Sequence, residues 1–266
     1  MTCTSIQRKH RKRIAIEHPT LNNPHRVFGL IGYPLSHSFS KRYFDQKFID
    51  EKIAGASFEN FELADIGGLE AVLKTKFLCG LAVTIPYKKE VLPWLTEADP
   101  VVTAIHACNC IRVRDSRLHG YNTDVTGFER SFVGQLGSRH THALILGTGG
   151  AAVAVAFALD RLGIQYRFVS RSRQPGGLLY EELDRELLEE HTVIINASPA
   201  GTLAHAQEAP DIPYQFLTPE HYLFDLVYNP PETIFLKKGK EKGASVRNGY
   251  DMLALQAEEN WKIWNQ

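Results

Sequence analysis

Cysteine and methionine are scarce, with four and two in 266 residues. Cys3, Cys79, Cys108 and Cys110 have no zinc-site spacing, and Cys108 and Cys110 alternate along an expected strand. Both a metal centre and a disulfide framework are therefore set aside, and the thiols are expected to be reduced. No apolar run approaches the length of a membrane span, and no signal-type hydrophobic segment follows the basic start, so the expectation is a cytoplasmic protein. An excess of either charge is missing too, since 30 Lys and Arg balance 30 Asp and Glu. Without a net field the chain has no global means of gathering nucleic acid or membrane, and the expected partner is a small molecule. Length is not lacking: the chain has room for one large or two ordinary domains with proper cores.

What is there begins with a glycine turn. Ala143 to Leu146 is apolar and reads as a buried strand, Gly147-Thr148-Gly149-Gly150 demands a tight turn, and Ala151 to Leu162 reads as a largely buried helix. This is G-x-G-x-x-A, with Ala152 in the place of a last glycine. Gly147 permits the turn, Gly149 lets the backbone approach a pyrophosphate, and Gly150 and Ala151 let the helix sit close with its free N–H groups forward. About twenty residues on, after a strand expected over 165–169, the chain reads Ser170-Arg171-Ser172-Arg173. An NAD site puts a carboxylate there for the ribose 2′-hydroxyl. Hydroxyls and guanidiniums suit a 2′-phosphate instead, so the expected cofactor is NADP(H). The competing reading is a structural turn followed by a solvated loop.

Ahead of this unit, residues 1–25 carry the basic block Arg8-Lys9-His10-Arg11-Lys12-Arg13 without periodicity. A nucleic-acid arm or a targeting element is one reading; a poorly ordered tail is the plainer one. A strand over 27–32 leads into Ser36-His37-Ser38-Phe39-Ser40 and a helix over 41–52, with Ser40 as its candidate cap. Capping needs one hydroxyl and leaves the cluster unexplained, so it is also read as a wall for a polyol. Further on, a strand over 58–63, a helix over 67–75 and a strand over 78–85 precede Pro86-Tyr87-Lys88. A helix over 88–95 would place Lys88 at a helix start, where the dipole gives a cation no benefit; a plain surface lysine is the alternative. A hairpin over 107–121 follows, and a helix over 125–136 for which Asp124 is a candidate cap. Beyond Arg173 come an acidic helix over 179–190, strands over 192–195, 222–227 and 244–246, and helices over 232–242 and 250–264. The alternation predicts two open α/β domains, with ligands beyond the carboxyl ends of the strands and a cleft between the domains.

Eight segments then fall into one series: Ser38-Phe39-Ser40, Val83-Thr84-Ile85-Pro86-Tyr87-Lys88, Asn109, Asn122-Thr123-Asp124, Gly147-Thr148-Gly149-Gly150-Ala151, Asn196-Ala197-Ser198-Pro199, Asp225-Leu226-Val227-Tyr228-Asn229-Pro230 and Gly249-Tyr250-Asp251-Met252-Leu253-Ala254-Leu255-Gln256-Ala257. In residues and order this series resembles the shikimate dehydrogenases, from about Phe28 to the closing helix. The resemblance implies a Rossmann-type NADP-binding domain over 125–248. It implies a substrate-binding domain with a largely parallel sheet over 26–124, completed by 249–266. The implied reaction is the reversible reduction of 3-dehydroshikimate to shikimate by NADPH, in aromatic amino acid biosynthesis. Lys88 and Asp124 would form the proton relay, and Ser38, Ser40, Thr84, Asn109, Asp124, Tyr228 and Gln256 would hold the substrate. Leu226, Gly249 and Met252 would flank the nicotinamide, with Gly147 to Ala151 and Ser170 to Arg173 on the rest of the cofactor. The implied assembly is a monomer or a homodimer.

The series departs from the family pattern at Ala82, where asparagine is usual, at Lys41 after the second serine, and at His106-Ala107-Cys108-Asn109-Cys110. Val153 likewise stands where a polar residue is common. These departures leave open a quinate/shikimate dehydrogenase-like enzyme, an aminoshikimate-type relative and a non-catalytic NADPH-binding protein. An intact Lys88 and Asp124 argues against the last.

Overall fold

The computed structural model describes residues 25–36 and 38–266. The basic stretch and tail ahead of His25 lie outside the described residues, as does His37 of the hydroxyl cluster. By contact the chain divides into two compact units. One runs to Glu97 and takes in Ile111–Gly120; the other is Ala98–Cys110 with Tyr121–Gln266.

The first unit is built on strands β1 (Arg26–Gly32), β2 (Ala56–Glu62), β3 (Leu78–Val83), β4 (Glu97–Ala98), β5 (Cys110–Arg114) and β6 (Arg117–Tyr121). They lie in the order β2-β1-β3-β5-β6-β4, and β1 is parallel to both neighbours. The first connection leaves β1 on one side, through helix α1 (Phe39–Asp50), and the second returns to its other side through the short α2 (Leu69–Val72). Strand order therefore reverses between β1 and β3, which opens a crevice at their carboxyl ends. α1 is held by aromatic packing: Phe44 stacks on Phe58 of β2 with ring centroids 4.7 Å apart. β5 and β6 form a hairpin whose turn residues Asp115 and Ser116 have φ of 50° and 58°, the pattern of a two-residue turn matched to strand twist.

The second unit contains helix α3 (Pro100–Ile105), which sequence periodicity does not foretell, and α4 (Thr123–Phe132). Its sheet takes β7 (His142–Leu146), β8 (Gln165–Ser170), β9 (Leu178–Leu179), β10 (Val193–Asn196), β11 (Tyr222–Asp225) and β12 (Ser245–Arg247) in the order β12-β11-β10-β7-β8-β9. All its strand pairs are parallel, and order reverses between β7 and β10. Alternation along the strands explains why both faces are covered. Ala143, Ile145, Val193, Ile195, Tyr222 and Phe224 pack beneath α4, α5 (Gly150–Leu162) and α8 (Tyr250–Trp264). Leu144, Leu146, Ile194 and Leu223 face the other way, toward α6 (Arg185–Glu190) and α7 (Ile234–Glu241). α4 and α8 cross closely: a Cβ on Gly127 would stand 2.7 Å from the Met252 carbonyl oxygen, so only glycine fits.

Several expected helices change. That over 67–75 shrinks to a 3-10 turn at Ile66–Gly68 and the four-residue α2, and that over 125–136 becomes α4 and a 3-10 turn at Val133–Gln135. Three others are altered as well. The stretch expected to be helical over 88–95 is a run of turns ending in a 3-10 turn at Leu92–Trp94. Pro93 explains this, because within a helix its ring would meet the carbonyl four residues back and its missing N–H would break the ladder. The dipole argument for Lys88 falls with the helix. The acidic segment over 179–190 is broken, because Leu178–Leu179 pairs with β8 and Asp184 caps a fresh helix by accepting from Leu187 N at 2.9 Å. α1 begins two residues earlier than expected, so its cap is Ser38 and Ser40 lies inside its first turn.

Candidate active site

At the crevice of the first sheet the β1–α1 loop meets the segment after β3. Tyr33 N–H donates to the Ile85 carbonyl at 3.0 Å, and Thr84 N–H to that of Ile31 at 2.9 Å. Ser38 Oγ accepts from Lys41 N at 3.3 Å and closes the helix start. Ser40 and Thr84 are half-buried at the same end. Lys88 follows immediately on an anchor: the Tyr87 ring is buried and its hydroxyl donates to the Leu63 carbonyl at 2.6 Å. The lysine is thus fixed at its backbone while its side chain stays half-buried.

In the second unit Asn122 caps α4, accepting from the N–H groups of Asp124 and Val125 at 3.1 and 3.4 Å. This corrects the reading of Asp124 as a cap and leaves its carboxylate to other work. Asn109 Nδ2 donates to Asp124 Oδ1 at 2.9 Å and to Thr123 Oγ1 at 3.0 Å, while its Oδ1 accepts from Thr123 N at 2.7 Å. Thr123 Oγ1 in turn donates to Asn260 Oδ1 at 2.7 Å, and Asn260 Nδ2 donates to Gln256 Oε1 at 3.4 Å. A buried polar chain therefore ties Asn109, Asp124 and Gln256 through two residues that sequence reasoning did not single out, Thr123 and Asn260. With two donor bonds and an acceptor bond assigned, the buried Asn109 amide holds one orientation.

The glycine turn lies where its pattern demands. Gly147 has φ of 110°, and a Cβ there would stand 3.0 Å from the Ala197 carbonyl oxygen. Nothing lies within 4 Å of where a Cβ on Gly149 or Gly150 would sit. α5 has no side-chain cap, so its first N–H groups are open to a ligand. A cavity of about 650 Å³ runs from this turn across the ends of β8 and β10, lined among others by Thr148, Arg171, Tyr180, Ser198 and Asp211. The two arginines part company here: Arg171 is on the lining, while Arg173 Nη2 pairs with Glu182 Oε1 at 2.9 Å. Ser170 is buried, and its hydroxyl donates to the Ser172 carbonyl, shaping the turn rather than offering a free group. Open backbone donors, a cavity and a guanidinium on its wall fit a dinucleotide bearing an extra phosphate.

Beneath this cavity Asn196 and Asp225 end their strands fully buried. Asp225 accepts from Asn196 Nδ2 at 2.9 Å, Val227 N at 3.0 Å and Thr233 Oγ1 at 2.6 Å. Burial pushes its carboxyl up to about 6, against the pull of those three donors. Sequence reasoning gave neither residue a role, although a polar end on an otherwise apolar buried strand was the available signal. Leu226 N–H donates to the Asn196 carbonyl at 2.9 Å, and Gly249 N–H to that of Val227 at 3.2 Å, so the proposed nicotinamide neighbours hang from the same strand ends. Met252 is buried on α8, and Tyr228 is half-buried. Among the described residues no group of three His, Cys, Asp or Glu could hold a metal ion, and no helix is long and apolar enough to cross a membrane.

Residues 30–111 match the family model of the shikimate dehydrogenase substrate binding domain. The chain is 31% identical to the shikimate dehydrogenase (NADP(+)) of Desulforamulus reducens, with 93% of this chain and 92% of that one covered. It is similar to the crystal structure of shikimate dehydrogenase from Aquifex aeolicus, with a TM-score of 0.80 at 28% identity over 92% of this chain and 94% of that one. It is similar also to the Thermus thermophilus enzyme solved in complex with NADP(H) and shikimate. There the TM-score is 0.79 and the identity 29%, over 90% and 93% of the two chains.

Proposed function

Since the chain belongs to the shikimate dehydrogenase family, we propose that it reversibly reduces 3-dehydroshikimate to shikimate with NADPH, with Lys88 and Asp124 as its proton relay. The observation that carries the cofactor half is the uncapped start of α5 opening on a cavity whose wall includes Arg171. Gly147, Thr148, Gly149, Gly150 and Ala151 hold the pyrophosphate through backbone N–H groups. Arg171 selects the 2′-phosphate from the cavity wall. Ser170, Ser172 and Arg173 belong to the turn that carries it, Ser170 through its bond to the Ser172 carbonyl and Arg173 through its pair with Glu182. Bound NADPH supplies the hydride for the carbonyl carbon.

The chain's own work is to orient the ring and manage one proton. Lys88 gives its ammonium proton to the carbonyl oxygen as that oxygen gains charge, so that a hydroxyl and not an alkoxide is formed. Asp124, oriented by Asn109, accepts from a ring hydroxyl as the second member of the relay. Ser38, Ser40, Thr84, Asn109, Tyr228 and Gln256 supply the hydroxyls and amides that a carboxylate and several hydroxyls require. Leu226, Gly249 and Met252 flank the nicotinamide. On this reading residues 26–124 with 249–266 form the substrate part and 125–248 the NADP part. The enzyme works in the cytoplasm as a monomer or homodimer, and the balance of 30 basic against 30 acidic residues supports the absence of a nucleic-acid partner.

Turnover assays with shikimate and quinate, each against NADP+ and NAD+, test the proposal. Oxidation of shikimate with NADP+ as the preferred pair is expected; preference for quinate or for NAD+ overturns it.

A further inference from the structure

We propose that Asp225, with Asn196 and Thr233, is a positioning device that holds one wall of the NADP cavity in binding shape from within the core. The inference rests on the cofactor reading of that cavity. Asp225 and Asn196 have no exposed surface and Thr233 only 2%, yet the segment they govern, Ala197 to Ala200, lines the cavity.

The argument is one of amide orientation. Asn196 Nδ2 donates both to Asp225 Oδ1 at 2.9 Å and to the Ala200 carbonyl at 3.0 Å. Its Oδ1 is thereby turned toward Ser198, accepting from the backbone N–H at 3.0 Å and from the hydroxyl at 2.6 Å. A flipped amide would lose its bonds to the Ala200 carbonyl and the Ser198 N–H and would face a carboxylate with its oxygen. Asp225 therefore sets the loop by refusing the flip, since an ionised carboxylate only accepts. Thr233 sets Asp225 in turn, donating to Oδ2 at 2.6 Å while its own oxygen caps α7 by accepting from Leu236 N. The loop so fixed lies against the glycine turn, with the Ala197 carbonyl beside Gly147. The loop and the turn thus form adjoining walls of one cavity.

The partners of Asp225 are a hydroxyl, an amide and a backbone N–H, none of them a cation. A buried carboxylate so placed is a costly way to hold a core together, and apolar side chains of similar volume would serve stability as well. What they would not do is orient Asn196.

The test is NADPH binding, followed by fluorescence titration, on purified Asp225→Asn, Thr233→Val and Thr233→Ser proteins of the full chain. Asp225→Asn should weaken binding about tenfold or more, and Thr233→Val about fivefold, the scale of one or two lost hydrogen bonds. Thr233→Ser, which keeps the hydroxyl, should restore wild-type binding. At saturating NADPH the turnover number should stay within about twofold in each. If Asp225→Asn does not fold, Thr233→Val decides alone. Unchanged NADPH affinity in folded Thr233→Val, whatever its melting temperature, overturns the proposal. A wild-type protein that binds no NADPH would instead remove the cofactor reading beneath it.

Discussion

The two sheets reach similar topology with opposite chemistry. In each, parallel strands reverse their order about a first strand, β1 in one and β7 in the other, and open a crevice at the carboxyl ends. The first sheet furnishes its crevice with side chains: two serines, a threonine, and a lysine on a tyrosine anchor. The second furnishes its crevice with bare backbone, a glycine turn at φ of 110° and an uncapped helix start. Strand order chooses the place of a ligand, and the residue types after the strands choose its kind. The side-chain crevice is accordingly sensitive to single truncations that leave the fold alone. The backbone crevice is sensitive to one charge and to whatever shapes the chain behind it.

The strongest way to break this contrast is at Lys88. Lys88→Ala should lower the turnover number about a hundredfold or more, the scale of a lost general acid–base group, with NADPH affinity nearly unchanged. Asp124→Asn should also lower turnover and loosen substrate, and the double variant should lose less than the sum if the pair acts as one unit. Near-normal turnover of Lys88→Ala at saturating 3-dehydroshikimate would falsify the assignment.

The counterpart in the second sheet is Arg171. Arg171→Asp should cost NADPH about 2 kcal/mol of binding and narrow its advantage over NADH. Arg173→Ala should cost much less, because Glu182 already holds that guanidinium. Equal losses from the two in a competition assay would return the phosphate to both arginines.

A smaller effect separates the two serines. Each alanine variant should raise the Michaelis constant for shikimate severalfold, about what one hydrogen bond contributes. Ser38→Ala should in addition lower stability by about 1 kcal/mol as a lost cap, and Ser40→Ala should not. Denaturant midpoints of the two proteins check the difference.

The smallest effect is in pH, and it acts at both ends of the second sheet. Burial holds His191 and His221 below the usual histidine range. The stability they contribute is present above pH ~6.5 and is lost as pH falls through their depressed values. His221 shows why: its Nδ1 must keep a lone pair for the Thr218 N–H at 3.0 Å. Asp225 runs the other way. With its folded value raised to about 6 from 3.8, it destabilises the ionised state, and that cost is relieved as pH falls through about 6. Asp225→Asn removes the relief and should make stability fall more steeply between pH 7 and 5 than in the wild type. A parallel decline in the two proteins would show that Asp225 titrates no differently when folded.

Legibility in the sequence followed the same divide. The second sheet could be read because its demands are local: Gly147, Gly149 and Arg171 lie within one strand–helix–strand unit. The positions of Ser38 and Lys88 at a strand end were equally readable, yet the cap went to the wrong serine and the helix after Lys88 does not exist. Each error was a matter of one residue, Ser38 ahead of the first turn and Pro93 within the supposed helix. Thr123 and Asn260 were given no role because they are partners 137 residues apart in sequence. Asn122 was passed over for Asp124 as the cap, although the N–H groups it accepts from lie only two and three residues on. The orienting pair Asn196 and Asp225 opened two segments of the family series, yet nothing local in the sequence gave either a role beyond a polar letter closing an apolar run.

The closing helix acts as a ruler. Met252, Gln256 and Asn260 follow at intervals of four residues along α8, so they share a stripe with about 6 Å between marks. Gly127 on α4 touches that ruler at the Met252 carbonyl. A methyl group there would press on the ruler between two of its marks, at the Met252 carbonyl oxygen and at the Gln256 Cβ 3.0 Å away, the one proposed as a nicotinamide neighbour and the other as the substrate amide. The alignment of both residues is thus referred to a single zero mark, a glycine that itself binds nothing.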